Sequence, residues 1–339
     1  MKRFISLAVS FTILLIIYTK IDFSGLIGIF QQGNPWWMGV SLGMVIPITL
    51  VTSWRLQQLM PSSREQGTGN REQRGELMVT VSKTDFSKRS SLGFFEANRL
   101  ILGASVLNMV LPSKMGDIVK AYFMAERGHL SNSLALSLVV FEKSCDMLSL
   151  LLWCTFGLVF YPSKDVLFWT MTGAVVGGLL LGLLLLGYPG FAQTFFLIAG
   201  KFSPKKIGQK LQNLQTSWGE MHDYFWQDKG QLIKITFTSI FIWFLHLLQI
   251  WMFILALRAW TPFLINLALS PLAILAGLLP LTFAGIGTRD AALIFFYQDY
   301  FNEATGAALG LLCTSRYFLP AVIGLPFLGQ MLAARKKVK

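Results

Sequence analysis

Six runs of apolar residues, each at or near the roughly 20-residue length that carries a helix across a bilayer core about 30 Å thick, constrain this chain more than any other feature. They extend from Phe4 to Thr19, Trp36 to Trp54, Ser133 to Phe160, Val166 to Tyr188, Leu232 to Leu257 and Thr305 to Ala334. Lipid offers the backbone no hydrogen-bond partner, so runs of this length dictate helices, which satisfy their own N–H and C=O groups. Charge is correspondingly scarce: 14% of the 339 residues are charged and 54% are hydrophobic, where a soluble domain carries about 25% charge.

The same scarcity excludes disorder, which needs low hydrophobicity and high charge. The net charge of +12 points away from nucleic acid, because the basic residues lie between apolar runs and form no basic soluble face. Cys145, Cys154 and Cys313 sit singly in apolar segments, and His129, His222 and His246 are isolated. That spacing gives neither a disulfide frame nor a zinc site, so no metal or other cofactor is expected.

Two further apolar pieces are interrupted. Leu92 to Leu111 contains Glu96, Asn98, Arg99 and Asn108, ends at Pro112, and leads into a basic amphipathic stretch through Lys120 and Arg127. Phe263 to Leu279 ends at Pro280 and continues through a turn containing Gly285, Gly287, Arg289 and Asp290 into an apolar run ending near Phe301. Both read as re-entrant hairpins, since a broken backbone at membrane depth requires shielding by protein or a water-filled cavity. With this topology 22 of the 29 Lys and Arg fall on the cytoplasmic side and 4 outside, the asymmetry of the positive-inside rule. Both termini are then cytoplasmic. Met1-Lys2-Arg3 before the first run resembles a signal, and without a small-residue cleavage pattern it reads as a retained anchor.

Each half of the chain holds two spans, one hairpin and one more span. Three spans per half is an odd number, so the second copy must be inverted relative to the first. The expected fold is an all-α polytopic membrane protein with about six spans and two re-entrant helical hairpins arranged as an inverted repeat. Residues 1–163 form the first repeat, with a flexible cytoplasmic insertion at 62–91, and residues 164–339 the second, with a basic tail.

Candidate functional residues follow from cost. The hairpin turns bring Pro112, Lys114, Gly116 and Asp117 into correspondence with Pro280, Thr282, Gly285, Gly287, Arg289 and Asp290, each with a helix-stopping proline, glycine and a charged pair. Ordinary helix corners are the alternative reading. Glu142, Lys143 and Asp146 lie midway along the third span and Arg316 midway along the last, where an ionised residue costs about 2.5 to 3.5 kcal/mol. Glu142 and Asp146 are four apart and share a face, which is expected to look toward Arg316. An ion pair that only orients helices stays open. Lys205 to Gln227 reads as an amphipathic helix at the inner membrane surface.

The motif Asn108, Pro112, Lys114, Gly116, Asp117, Lys120, then Glu142, Lys143 and Asp146, resembles the signature of the lysylphosphatidylglycerol synthase transmembrane-region family. The family's second signature is matched at Pro280, Thr282, Ala284, Gly285, Gly287, Asp290 and Arg316, with Thr282, Ala284, Asp290 and Lys143 standing where the family has Ser, Gly, Glu and Arg. That family includes the flippase domain of the multiple peptide resistance factor and stand-alone, flippase-like membrane proteins. The resemblance implies translocation of a polar-headed lipid, phospholipid or polyprenyl-linked, across a bacterial-type inner membrane. The soluble aminoacyltransferase domain of bifunctional relatives is not found, so lipid synthesis is not carried over and an enzyme is not expected. Two alternatives stand beside transport. One is a membrane-embedded transferase using Asp117, Glu142 or Asp290 as acid or base; the other is a non-catalytic scaffold for a partner lipid-modifying enzyme.

Overall fold

The computed structural model describes residues 23–60, 92–110, 115–128, 132–161, 164–203, 218–219, 221–226, 228–279, 282 and 285–329, with a few single positions between them. The Phe4 to Thr19 run, the 62–91 insertion, Pro112, Lys114, Pro280, Ala284 and the basic tail lie outside the described residues. In chain order the helices are α1 Phe23–Gln32, α2 Pro35–Gly43, α3 Val45–Leu59, α4 Phe94–Val110, α5 Met115–Gly128, α6 Asn132–Phe160, α7 Val166–Gly187, α8 Pro189–Lys201, α9 Lys229–Ala256, α10 Phe263–Gly277, α11 Thr288–Phe296 and α12 Glu303–Gly324. The chain is a helical polytopic membrane protein.

Four helical stretches among the described residues are long and apolar enough to cross a bilayer: Pro35–Leu59, Val166–Gly187, Lys229–Ala256 and Glu303–Phe327. They coincide with four of the six expected runs. The expected run at Ser133 to Phe160 is the 29-residue helix α6, which is not one of these four and carries Glu142, Lys143 and Asp146. In the most apolar stretch of α7 only 6% of residues are buried, the mark of a helix that faces lipid. Trp36, Trp169 and Trp260 are exposed at the ends of three spans, the depth at which indole rings favour the membrane interface.

Short polar side chains begin the spans. Asn34 Oδ1 accepts the backbone N–H groups of Trp36 and Trp37, with Pro35 at the first helical position. Asp165, Asp228 and Asn302 cap α7, α9 and α12 in the same way, accepting from Phe168, Gln231 and Thr305 at 2.8, 3.0 and 2.9 Å. Each cap satisfies one of the N–H groups left orphaned at a helix start. Arg258 ends α9 in the left-handed region, φ 56°, with the Ala259 N–H closing onto Ile254 O.

The chain divides into two compact units. One comprises Met1–Ile48, Asp146–Gly182 and Ile240–Leu319; the other comprises Thr49–Cys145, Leu183–Ser239 and Pro320–Lys339. The boundaries fall inside α3, α6, α7, α9 and α12, so each unit draws on both halves of the sequence. In the first unit Leu150, Cys154, Ile250, Phe253, Leu272, Leu293 and Ala308 form the centre of a core. In the second, Leu56, Leu59, Leu100, Met124, Leu138, Met221 and Phe225 do so.

Both expected hairpins are present as paired helices. Helices α4 and α5 pack together in the second unit, and α10 and α11 in the first. Of the 205–227 stretch, positions 208, 215, 218–219 and 221–226 are described. Trp218, Met221 and Phe225 are buried in the core of their own unit, Phe225 stacks on Phe141 with ring centroids 4.1 Å apart, and Trp218 Nε1 donates to Leu185 O at the end of α7. An aromatic stripe with indole donors finds more partners on the protein than in lipid.

Candidate functional site

Each hairpin holds a buried group of charges, built from residues its own unit brings together. In the second unit the centre is Glu142, on α6 and fully buried. Its Oε1 accepts from Arg55 Nη2 at 2.8 Å, and its Oε2 accepts from Lys120 Nζ on α5. All three side chains are at most 2% exposed. Arg55 Nη1 donates to Ser239 Oγ at 2.9 Å, and that hydroxyl donates onward to Ile235 O. Lys120 also lies 3.9 Å from Asp117 Oδ1, one helical turn earlier on α5.

Asn108 ties the two helices of this hairpin. Its Oδ1 accepts the Gly116 N–H at 2.9 Å and its Nδ2 donates to Asp117 Oδ1 at 3.4 Å. A Cβ on Gly116 would run into Ala104 O on α4, so only glycine lets α5 begin this close to α4. Arg55 and Lys120 thus each reach a carboxylate at this hairpin, an arrangement that answers the large cost of burying either sign alone.

In the first unit the turn before α11 is made by glycine. Gly285 and Gly287 have φ of +75° and +99°, open to glycine at no steric cost, and a Cβ on Gly285 would lie 2.5 Å from Gly277 O. Asp290 folds back on this turn, its Oδ2 accepting the Gly287 N–H at 3.0 Å. Its Oδ1 accepts from Arg289 Nε at 3.0 Å and Nη2 at 2.7 Å. Arg289 Nη2 reaches α12 as well, donating to Gly310 O and to Thr314 Oγ1 at 2.6 Å. Thr282 and Thr288 share a hydroxyl hydrogen bond of 2.8 Å across the turn. Arg316, on α12, is 9% exposed, and its Nε donates to Cys313 O.

Of the expected site residues, Asn108, Gly116, Asp117, Lys120 and Glu142 come together at one hairpin. Thr282, Gly285, Gly287, Arg289 and Asp290 come together at the other, with Arg316 on the α12 helix that Arg289 reaches. Pro112, Lys114 and Pro280 lie outside the described residues. Lys143 is exposed and Asp146 half-buried, so neither shares the deep burial of Glu142. Both oxygens of the Glu142 carboxylate are taken within its own unit, by Arg55 and Lys120. Arg55 follows the expected Trp36 to Trp54 run directly, where a basic residue reads as one of the 22 cytoplasmic charges. Its signal was a lone arginine on the last turns of an apolar span, which must pair if the helix continues into protein.

A third polar group stiffens the second hairpin. Asn266 Oδ1 accepts from Ser270 Oγ and Tyr297 OH, at 2.9 and 3.0 Å, while its Nδ2 donates to Leu247 O. These groups are fully buried and link α10 to α11 and α9. Among the described residues no group of three or more His, Cys, Asp or Glu side chains converges as a metal site would.

Long apolar helices, two glycine-dependent hairpins and buried charge around each define a polytopic membrane protein with polar machinery set among its helices. The chain belongs to the lysylphosphatidylglycerol synthase transmembrane-region family, whose model matches residues 3–324. It is similar to the UPF0104 membrane protein MJ1595 of Methanocaldococcus jannaschii, with 22% identity over 244 residues that cover 66% of this chain and 71% of that protein. No solved structure matches.

Proposed function

We propose that this protein is a flippase or transporter that moves a polar-headed lipid, phospholipid or polyprenyl-linked, across a bacterial-type inner membrane, with both termini cytoplasmic. The observation that carries this reading is the Arg55–Glu142–Lys120 cluster, charged side chains at most 2% exposed in the membrane domain of a lipid-associated family. Well-packed apolar residues of similar volume hold helices together as well or better. Ionisable groups kept within membrane helices therefore mark substrate or ion routes.

The inverted-repeat plan, residues 1–163 against 164–339, belongs to the same proposal. Two close approaches support it. Gly157, on the third span of the first half, lies against the backbone of Ala268 on the second half's hairpin. Gly324, on the third span of the second half, lies against the backbone of Leu102 on the first half's hairpin. In both, a Cβ would overlap the carbonyl oxygen it faces. Each half thus offers its last span to the other's hairpin, the exchange expected of two related units.

On this reading the hairpins present polar groups to the head group while apolar helices face the acyl chains, and the protein translocates lipid without synthesising it. A partner lipid-modifying enzyme would act before or after that step. The test is reconstitution in liposomes carrying fluorescent phospholipids or labelled polyprenyl-linked lipids, with the outer leaflet quenched. Movement above protein-free vesicles, abolished in Glu142→Gln, is the expected result. No movement of any lipid class would remove the reading.

A further inference from the structure

The two hairpins differ in how their cations are matched. Around Glu142, the buried cations Arg55 and Lys120 each reach a carboxylate. At the second hairpin Arg289 meets the carboxylate of Asp290, while Arg316, on α12, meets only a backbone carbonyl. Arg289 commits Nε and Nη2 to Asp290, Gly310 and Thr314, and its Nη1 is buried without a hydrogen-bond partner. Arg316 has no carboxylate partner among the described residues. Its Nε reaches only the Cys313 carbonyl, at 3.4 Å, and its Nη1 is also buried and unpartnered. Arg289 reaches Gly310 and Thr314, and Arg316 reaches the Cys313 carbonyl, so both guanidiniums lie along the 310–314 stretch of α12.

An unpaired charge at such burial is costly, and a planar guanidinium with open N–H groups is the side chain best suited to a phosphate oxygen. We propose that the Nη1 groups of Arg289 and Arg316 form a binding site for a phosphodiester, the singly charged phosphate of a lipid head group. Two positive charges against one negative leave one positive charge, which a monoanion neutralises. The site reads the phosphate and not the group esterified to it, so glycerol-type and amine-bearing heads both satisfy it and a lipid lacking phosphate does not. This inference rests on the lipid-transport reading for its ligand, and its binding test stands apart from transport.

The experiment uses the full-length protein in neutral detergent, with thermal unfolding followed as mixed micelles of phosphatidylglycerol, micelles of diacylglycerol, or inorganic phosphate are added. Phosphatidylglycerol is expected to raise the unfolding temperature and diacylglycerol to leave it unchanged. Arg316→Gln is expected to weaken the phosphatidylglycerol response at least tenfold in concentration while its ligand-free unfolding temperature equals or exceeds that of the parent, because an uncompensated buried charge has been removed. Arg316→Lys, which keeps the charge and loses the fork, is expected to weaken the response less. An undiminished response in both variants overturns the site. A full response to inorganic phosphate alone overturns the lipid assignment in favour of a soluble anion. Arg316-dependent binding without liposome transport would leave the site standing and remove the transport reading; transport of phosphate-free lipid at the parent rate would do the reverse.

Discussion

Lys120 on α5 and Glu142 on α6 meet as a buried ion pair, and Arg55 on α3 holds the other oxygen of the same carboxylate. Glu142 is the shared anion of two cations, so its loss and the loss of Lys120 are not equivalent. Glu142→Gln leaves the Arg55 guanidinium and the Lys120 ammonium without their shared anion in a buried site and should destabilise the protein by about 3–5 kcal/mol. Lys120→Met leaves the Arg55–Glu142 pair intact and should cost less, about 1.5–3 kcal/mol. Unfolding of the two variants in detergent checks the order; equal losses would show that the carboxylate is not the hub.

Much of the fold was legible because its determinants are local. Val166–Gly187 needs only an apolar run, and the breaks after α4 and α10 are announced by Pro112 and Pro280. Arg55 apart, the clusters were legible in membership but not in pairing. Glu142 was marked by its cost in the membrane, yet whether it meets Arg55, Lys120 or Arg316 depends on which helices adjoin, and no spacing along the chain encodes that. Lys143 could have been set aside from sequence: adjacent residues on a helix lie about 100° apart, so Lys143 cannot share the inward face of Glu142. Arg55 was hidden by the positive-inside count, in which a basic residue at a span end looks like a loop charge.

Glycine positions on the helices separate into two kinds. Gly157 and Gly324 face backbone carbonyls that a Cβ would overlap, whereas Gly173 and Gly177 on α7 have nothing within 4 Å. Gly157→Ala and Gly324→Ala should therefore each cost about 1–3 kcal/mol through forced backbone shifts. Gly173→Ala and Gly177→Ala should stabilise by up to about 1 kcal/mol each through helix propensity. Thermal unfolding of the four single variants decides it. A loss at Gly173 or Gly177 as large as at Gly157 would mean that the open face of α7 is covered in the folded protein.

Arg258 closes α9 with φ 56°, a conformation that costs a residue with a Cβ about 1–2 kcal/mol. Arg258→Gly removes that cost and adds about 0.5–1 kcal/mol of unfolded-state entropy, so a small net gain in stability is expected. Lipid movement in liposomes should stay at the parent rate, since Arg258 belongs to neither charge cluster. A marked loss of stability would show that the Arg258 side chain holds the turn by contacts that outweigh its backbone strain.

Asp290 couples the backbone of the second hairpin to its charge, because one oxygen holds the Gly287 N–H and the other holds Arg289. Asp290→Asn preserves the shape and a carbonyl oxygen for one of these duties, and removes the only negative charge that Arg289 meets among the described residues. Neutralisation should then leave two buried guanidiniums without an anion, lowering the unfolding temperature by the equivalent of about 3–5 kcal/mol. An added phosphodiester lipid should restore part of that loss, since its charge takes the place of the missing carboxylate. Asp290→Glu keeps the charge but moves it by one methylene, away from the Gly287 N–H that the shorter side chain reaches, and Gly310 leaves little space: a Cβ there would lie 2.8 Å from Asp290 Oδ1. It should retain more stability than Asp290→Asn while still slowing transport, because the turn loses its tie. Unfolding with and without lipid, measured beside liposome transport for both variants, separates charge from geometry: if Asp290→Asn matches the parent in both assays, neither the tie nor the charge matters to this hairpin.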